Sequence, residues 1–229
     1  DSGSTIALNN LVQPVEGEAT YEFASRILRM RSNQSQPNFT ERLTDKVRKN
    51  GHIKVLSLCS GAARIEANFA AAAPDNIAWS LLDINTTLLK IASKQFPPDT
   101  QLDLIEGNVN ELKYADEKWD VIICVSAIHH IVELESLFEF IHRSLNEDGE
   151  FWSIGENIGR NGNRLWPESR EIANNIFTNL PEKYRLNAHT QGVDNLLPDN
   201  DYSVGCFEGI RSENIPQLLD IWFEPIESY

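Results

Sequence analysis

The apolar positions change rhythm twice along the chain. Between Glu16 and Arg31, Phe23, Ala24, Ile27 and Leu28 recur at helical spacing, and Phe39, Leu43 and Val47 repeat every four residues before Asn50-Gly51. Helices are therefore predicted over 16–31 and 39–49. Five short runs with β-branched residues follow: Ile53–Leu58, Ile77–Leu82, Leu102–Ile105, Trp119–Val125 and Glu150–Ile154. Helical segments stand between them at 63–73, 86–96 and 134–145, with Asn85 placed to cap the second and Pro97-Pro98 to close it. Alternation of this kind predicts an α/β fold: a Rossmann-like, doubly wound, mostly parallel sheet with helices on both faces.

Past the fifth run the pattern loosens. Leu165–Leu180 reads as a helix, with Pro167 in its first turn and Ile172, Ile176, Phe177 and Leu180 on one face. Residues 181–211 show no period, and irregular stretches of that length are usually functional or disordered. Ser212 is placed to cap a last helix carrying Ile215, Leu218, Leu219 and Trp222, and Phe223–Tyr229 reads as a sixth strand. Residues 1–15, small and polar, read as a loose arm.

Composition narrows the class. A chain of 229 residues, 41% hydrophobic and 24% charged, has ordinary globular usage and suits a single domain. Thirty-four acids against twenty bases give a net charge of −14, a field that repels phosphate backbones and anionic membranes. Neither nucleic acid nor membrane is expected as a partner. The longest apolar run, Val121 to Val132, falls well short of the ~20 residues that span a bilayer, and no secretory leader is visible. Three scattered cysteines (Cys59, Cys124, Cys206) make neither a disulfide framework nor a zinc site, so no metal is expected and a reducing cytoplasm is the natural setting. The sequons at Asn33, Asn38 and Asn85 then read as accidental.

In open parallel sheets, ligands bind beyond the carboxyl ends of the strands where strand order reverses. The residues to inspect are therefore Cys59–Ala63, Asp83-Ile84, Asn108-Val109, Val125–His130 and Glu156. The loop Ser57-Leu-Cys-Ser-Gly-Ala-Ala-Arg is built of small residues that allow close backbone approach, and it opens a helix. With Gly61 alone it lacks the three-glycine dinucleotide fingerprint, which speaks against a nicotinamide-dependent oxidoreductase. Asp83 ends the second strand 22 residues after Gly61, where a carboxylate can accept from both hydroxyls of a ribose, or can help Asn85 to cap its helix.

These motifs resemble class I S-adenosylmethionine-dependent methyltransferases. Val55-Leu-Ser-Leu-Cys-Ser-Gly-Ala-Ala is similar to that family's first motif, Leu82-Asp83 to its ribose-binding acid, and Glu106-Gly-Asn-Val109 to its adenine turn. Trp119–Ile123 through Ile128-His-His-Ile131 resembles its fourth strand and exit, and Leu145-Asn-Glu-Asp-Gly-Glu-Phe its turn into the fifth. The match covers roughly 50–157 in order and spacing. Three later segments, beginning at Asn161, Leu180 and Gly209, resemble a bacterial subgroup linked to glycan or small-molecule biosynthesis. The resemblance divides a single domain, 1–229, into an N-terminal helical cap over the cofactor (16–50), a cofactor-binding core (51–157), and an irregular acceptor region with the last strand (158–229). It implies S-adenosylmethionine as cofactor, a small-molecule or glycan-type acceptor, and pocket positions at Ser57, Cys59, Gly61, Ala63, Asp83, Ile84, Asn108, Val109, Val125, Ser126 and His130. The family normally adds a seventh strand, and an unpaired sheet edge would invite a homo-oligomer.

The chain departs from the family at Ser57, where an acid is usual, at Cys59 and Ala63, where glycine is usual, and at Asn108, often Asp. These changes make a catalytically silent domain that binds cofactor or a partner protein the second reading. For an enzyme, methyl transfer is an in-line displacement from an activated donor, so the protein mainly positions the acceptor and excludes water. A base, where one is needed, would come from His129 or His130 at the exit of the fourth strand, or from Glu156 beyond the fifth. One imidazole is expected to face the pocket and the other to pack. Arg164, Arg185 and Arg211 are open either to an anionic acceptor or to ordinary ion pairs. Trp166 and Tyr184 are open to a platform role or to core packing. Arg26, Arg29 and Arg31 of the first helix are open to the cofactor's carboxylate or to solvent. Cys59 reads as a space-filler, not a nucleophile.

Overall fold

The computed structural model describes residues 38–112, 117–187 and 190–226. The predicted helix over 16–31, its three arginines and His189 lie outside them. The chain divides into two units, residues 1–39 with 225–229, and Thr40–Glu224.

Helix α1 (Phe39–Asn50) forms where the four-residue repeat predicts, buries Leu43 and Val47, and ends at Gly51 in the left-handed region (φ 78°). Five strands follow: β1 (Ile53–Leu58), β2 (Ile77–Asp83), β3 (Gln101–Glu106), β4 (Trp119–Val125) and β5 (Leu145–Ile154). They pair in parallel, in the order β3-β2-β1-β4-β5. The order reverses between β1 and β4, so the loops leaving these two strands border the same crevice. Helices α2 (Arg64–Ala72), α3 (Thr86–Ala92) and α4 (Leu134–Ser144) make the crossovers. Asn85 caps α3 as expected, accepting from the amides of Thr87 and Leu88.

The core explains where elements stop short of the periodic pattern. Helix α3 ends at Ala92, and the chain tightens beyond it, the Lys94 and Gln95 amides donating to the carbonyls of Ile91 and Ala92 three residues back. Phe96 instead packs edge-on against Trp79, with ring centroids 5.6 Å apart. Strand β5 begins earlier than the apolar run, because Leu145 pairs with Trp119 and the chain then bulges before Glu150 rejoins Val121. No sixth strand forms over Phe223–Ile226, and residues 227–229 lie outside the described set. Phe223 packs instead on Phe151 (5.3 Å) and Phe138 (6.0 Å), and burying an aromatic ring there outweighs extending an exposed edge.

The irregular region is also structured. Helix α5 (Pro167–Phe177) forms, but its predicted apolar face is left open: Ile172 and Ile176 are both more than 60% exposed. A short helix α6 (Ser203–Cys206) and the last helix α7 (Ile215–Trp222) follow. Asn214, not Ser212, occupies the N-cap of α7, and Ser212 is buried beneath it. Among the described residues no helix is long and apolar enough to cross a membrane.

Candidate active site

The loop leaving β1 carries three left-handed residues in alternation: Cys59 (φ 52°), Gly61 (φ 53°) and Ala63 (φ 50°). Such a conformation costs a residue with a Cβ about 1–2 kcal/mol, and strain of this kind persists only where neighbours impose it. The neighbour here is Asp83. Its Oδ2 accepts the Gly61 amide at 2.7 Å and its Oδ1 accepts the Asn85 amide at 2.8 Å. The acid at the end of β2 thus holds the loops that follow β1 and β2, and each oxygen keeps a further lone pair. Ile84, the next residue, is 68% exposed. Asn108 turns inward on its own loop, accepting the Asn110 amide and donating to Glu111, and Val109 is buried.

Ser57 is fully buried and donates to Glu66 Oε1 at 2.6 Å. Glu66, in the first turn of α2, is itself 2% exposed, and burial pushes its carboxyl above the usual range. A carboxylate therefore does reach the end of β1, from the following helix instead of from the strand. Cys59 is neutral: burial above all, then the charges of Asp83 and Glu156, push its thiol up to about 12.

At the exit of β4, Val125 leads into Ser126, also left-handed (φ 48°), whose hydroxyl donates to the Gly155 carbonyl at 2.8 Å. Ile128–His130 then form one turn of 3-10 helix. Glu156 caps it from the neighbouring loop, accepting the amides of Ala127 (3.2 Å), Ile128 (2.8 Å), His129 (3.2 Å) and its successor Asn157 (2.9 Å). The same carboxylate accepts from His129 Nδ1, so that imidazole presents Nε2 outward. Glu156 is thus a buried anchor and not an exposed strand-end acid.

The two imidazoles lie side by side. Their centroids lie 4.1 Å apart, and both reach Glu208, which the irregular region supplies. His129 is buried and His130 exposed. Sequence reasoning missed Glu66 and Glu208. The first reads as an ordinary acid in a helix, and the second sits in a stretch without period.

Residues 56–153 match the family model described as a methyltransferase domain. That stretch is similar to a methyltransferase domain. The match runs from β1 into β5, the part of the sheet that builds both crevice loops. A demethylmenaquinone methyltransferase of Lysinibacillus sphaericus is 26% identical over 96 residues, which are 42% of this chain and 41% of that protein, so the chain spans about two fifths of that relative. A solved structure from Bacillus halodurans assigned as a methyltransferase superposes with a TM-score of 0.51 at 15% identity, over 84% of this chain and 71% of that one. A methyltransferase structure from Clostridium acetobutylicum covers 58% of this chain and 57% of its own, at 18% identity and a TM-score of 0.41.

Outside the matched stretch Arg164, Arg185 and Arg211 are all occupied. Arg211 forks onto both oxygens of Glu135 (2.7 and 2.6 Å), Arg164 pairs with Asp201 (3.0 Å), and Arg185 donates to the Leu180 and Asp194 carbonyls. Trp166 and Tyr184 are about half exposed or more, so neither is a core residue. His142 stacks near Trp222 and Phe223, in a packing role.

Proposed function

We propose that the chain is an S-adenosylmethionine-dependent methyltransferase acting on a small-molecule or glycan-type acceptor. The observation that carries the reading is the strained β1 loop, clamped by Asp83 at the point where strand order reverses. The residues fit the cofactor. Asp83 retains lone pairs for ribose hydroxyls, Ile84 offers an exposed apolar surface beside it, and Cys59, Gly61 and Ala63 hold the backbone open for close approach. The cofactor supplies an activated methyl group on a sulfonium. The protein's share is to seat the acceptor in line and to take its proton where one must leave. Glu156 orients His129 through Nδ1, with Nε2 toward Glu208, and His130 stands more open beside it as the second candidate base.

A domain that binds cofactor without turnover is the second reading. What favours it is that Asp83 and Glu156, the two acids at the crevice, are both engaged by main-chain amides.

The test is calorimetric titration with S-adenosylmethionine and S-adenosylhomocysteine, with NAD as control, followed by an acceptor screen. Micromolar binding of the sulfur ligands without NAD binding is expected, and absence of both sulfur ligands overturns the proposal. Turnover lost in His129→Ala, His130→Ala or Glu156→Ala separates the enzyme from the silent domain.

A further inference from the structure

We propose that His129, His130 and Glu208 bind a divalent transition-metal ion of the zinc type. Their ligand atoms, one from each residue, lie within 4.8 Å of one another. His129 Nε2 stands 3.3 Å from one oxygen of Glu208, and His130 Nε2 stands 3.8 Å from the other. Tetrahedral ligands at the usual zinc distances of about 2.0–2.2 Å are separated by about 3.3–3.6 Å. Small side-chain adjustments therefore bring the three into a coordination shell.

The groups behind the ligands strengthen the assignment. His129 donates Nδ1–H to the Glu156 carboxylate, and His130 donates Nδ1–H to the Phe207 carbonyl at 2.8 Å. Both rings are thereby oriented with Nε2 toward Glu208. A carboxylate or carbonyl on the far nitrogen is the pattern that orients a metal-bound imidazole. Glu208 is held as firmly. Asn163 Nδ2 donates to it at 3.0 Å, and the Ile210 amide donates to the His129 carbonyl at 3.0 Å. Gly209, between them, is packed so closely that a Cβ would meet backbone at 2.8 Å. Phe207 sits in the left-handed region (φ 56°) while presenting its carbonyl to His130. Two imidazole nitrogens and a carboxylate thus converge on one point, an arrangement that a cation satisfies. Two nitrogens and one oxygen select zinc, cobalt or iron over magnesium or calcium.

The ion would stand at the exit of β4, beside the crevice. His130 and Glu208 are each more than a third exposed, which leaves positions open to water or an acceptor oxygen. This deepens the reading of that site: the imidazoles become ligands, and the ion, not a base, lowers the pKa of the bound oxygen. Only that consequence rests on methyl transfer; the metal site itself does not.

The test uses the full chain stripped with EDTA and titrated with Co²⁺ near neutral pH, read by visible d–d absorption. One saturable cobalt per chain is expected, displaced by Zn²⁺. The band should be abolished in His130→Ala and Glu208→Ala and weakened about 10–100-fold in affinity in Glu156→Gln. His130 is open enough that His130→Ala should keep the thermal midpoint of the metal-free protein. A missing band, a band unchanged in both alanine variants, or a thiolate-to-cobalt charge-transfer band overturns the site. Titrating S-adenosylmethionine into the same samples separates the two ideas. Sulfonium binding without cobalt binding overturns the metal site alone, and cobalt binding without sulfonium binding leaves the metal site standing and overturns the methyltransferase reading.

Discussion

Asp83 and Gly61 are joined by a 2.7 Å hydrogen bond that spans two strands of the sheet: the acid closing β2 fixes the backbone of the loop leaving β1. Removing it would leave the amides of Gly61 and Asn85 without their acceptor, and each such loss costs about 1–3 kcal/mol where water cannot replace it. Asp83→Ala is expected to weaken S-adenosylmethionine binding at least ~10-fold and to lower the thermal midpoint. Asp83→Asn, which keeps one accepting oxygen, should fall between it and the wild type. Calorimetry on the three proteins checks the order.

The strain at Ala63 is open to a direct test. Ala63→Gly relieves the left-handed conformation but gives up a buried methyl and loosens the unfolded chain, so stability should stay within about 1 kcal/mol of wild type. Ala63→Val puts a β-branched side chain at φ 50° in a buried position and should lose at least ~2 kcal/mol. Urea denaturation of both variants decides whether the loop's shape is set by Ala63 or imposed on it.

Glu66 predicts a pH dependence. Its carboxyl is raised chiefly by burial, so the folded state holds the proton more tightly than the unfolded chain. That contribution to stability is complete below the ordinary carboxyl value of 4.5 and is lost as pH rises through the raised folded value. Glu66→Gln removes the titration and keeps an oxygen to accept from Ser57. The stability difference, variant minus wild type, should therefore grow with pH above 4.5. Thermal midpoints measured across that range test it, and a difference flat in pH would refute the assignment.

Glu156 and His130 should separate stability from chemistry. Glu156→Gln takes an accepting oxygen from a buried carboxylate that holds four amides and an imidazole, and a loss of at least ~2 kcal/mol is expected. His130→Ala, at an exposed position, should change stability by less than ~1 kcal/mol while turnover falls. Denaturation curves beside initial rates make the comparison.

The sheet was legible because each strand is an apolar run cut by its own turn residues, and β4 carries the clearest of these, Trp119–Val125. Asn85 announced its helix because an amide side chain ahead of Thr86-Thr87 has few better uses than capping. Phe223 misled because β-forming residues in a row describe a strand only if a neighbour is there to pair, whereas Phe138 and Phe151 offered burial. The site was legible where it depends on position along a strand, as at Asp83 and the residues after Val125. Glu66 and Glu208 were not, because each acts through a partner in another element: Ser57 of β1 for Glu66, and the imidazoles at the exit of β4 for Glu208. No local pattern marks an acid that will be turned inward by a serine or met by two imidazoles.

The Ile210 amide on the His129 carbonyl has a consequence for how the molecule is made. All five described strands are complete in sequence by Ile154, while Glu208 and Ile210 belong to chain translated later. The sheet can close during synthesis with the exit of β4 bare on that side, and the far wall then docks onto a surface already formed. A nascent chain halted before that wall emerges would hold the sheet and the Asp83 latch while lacking Glu208.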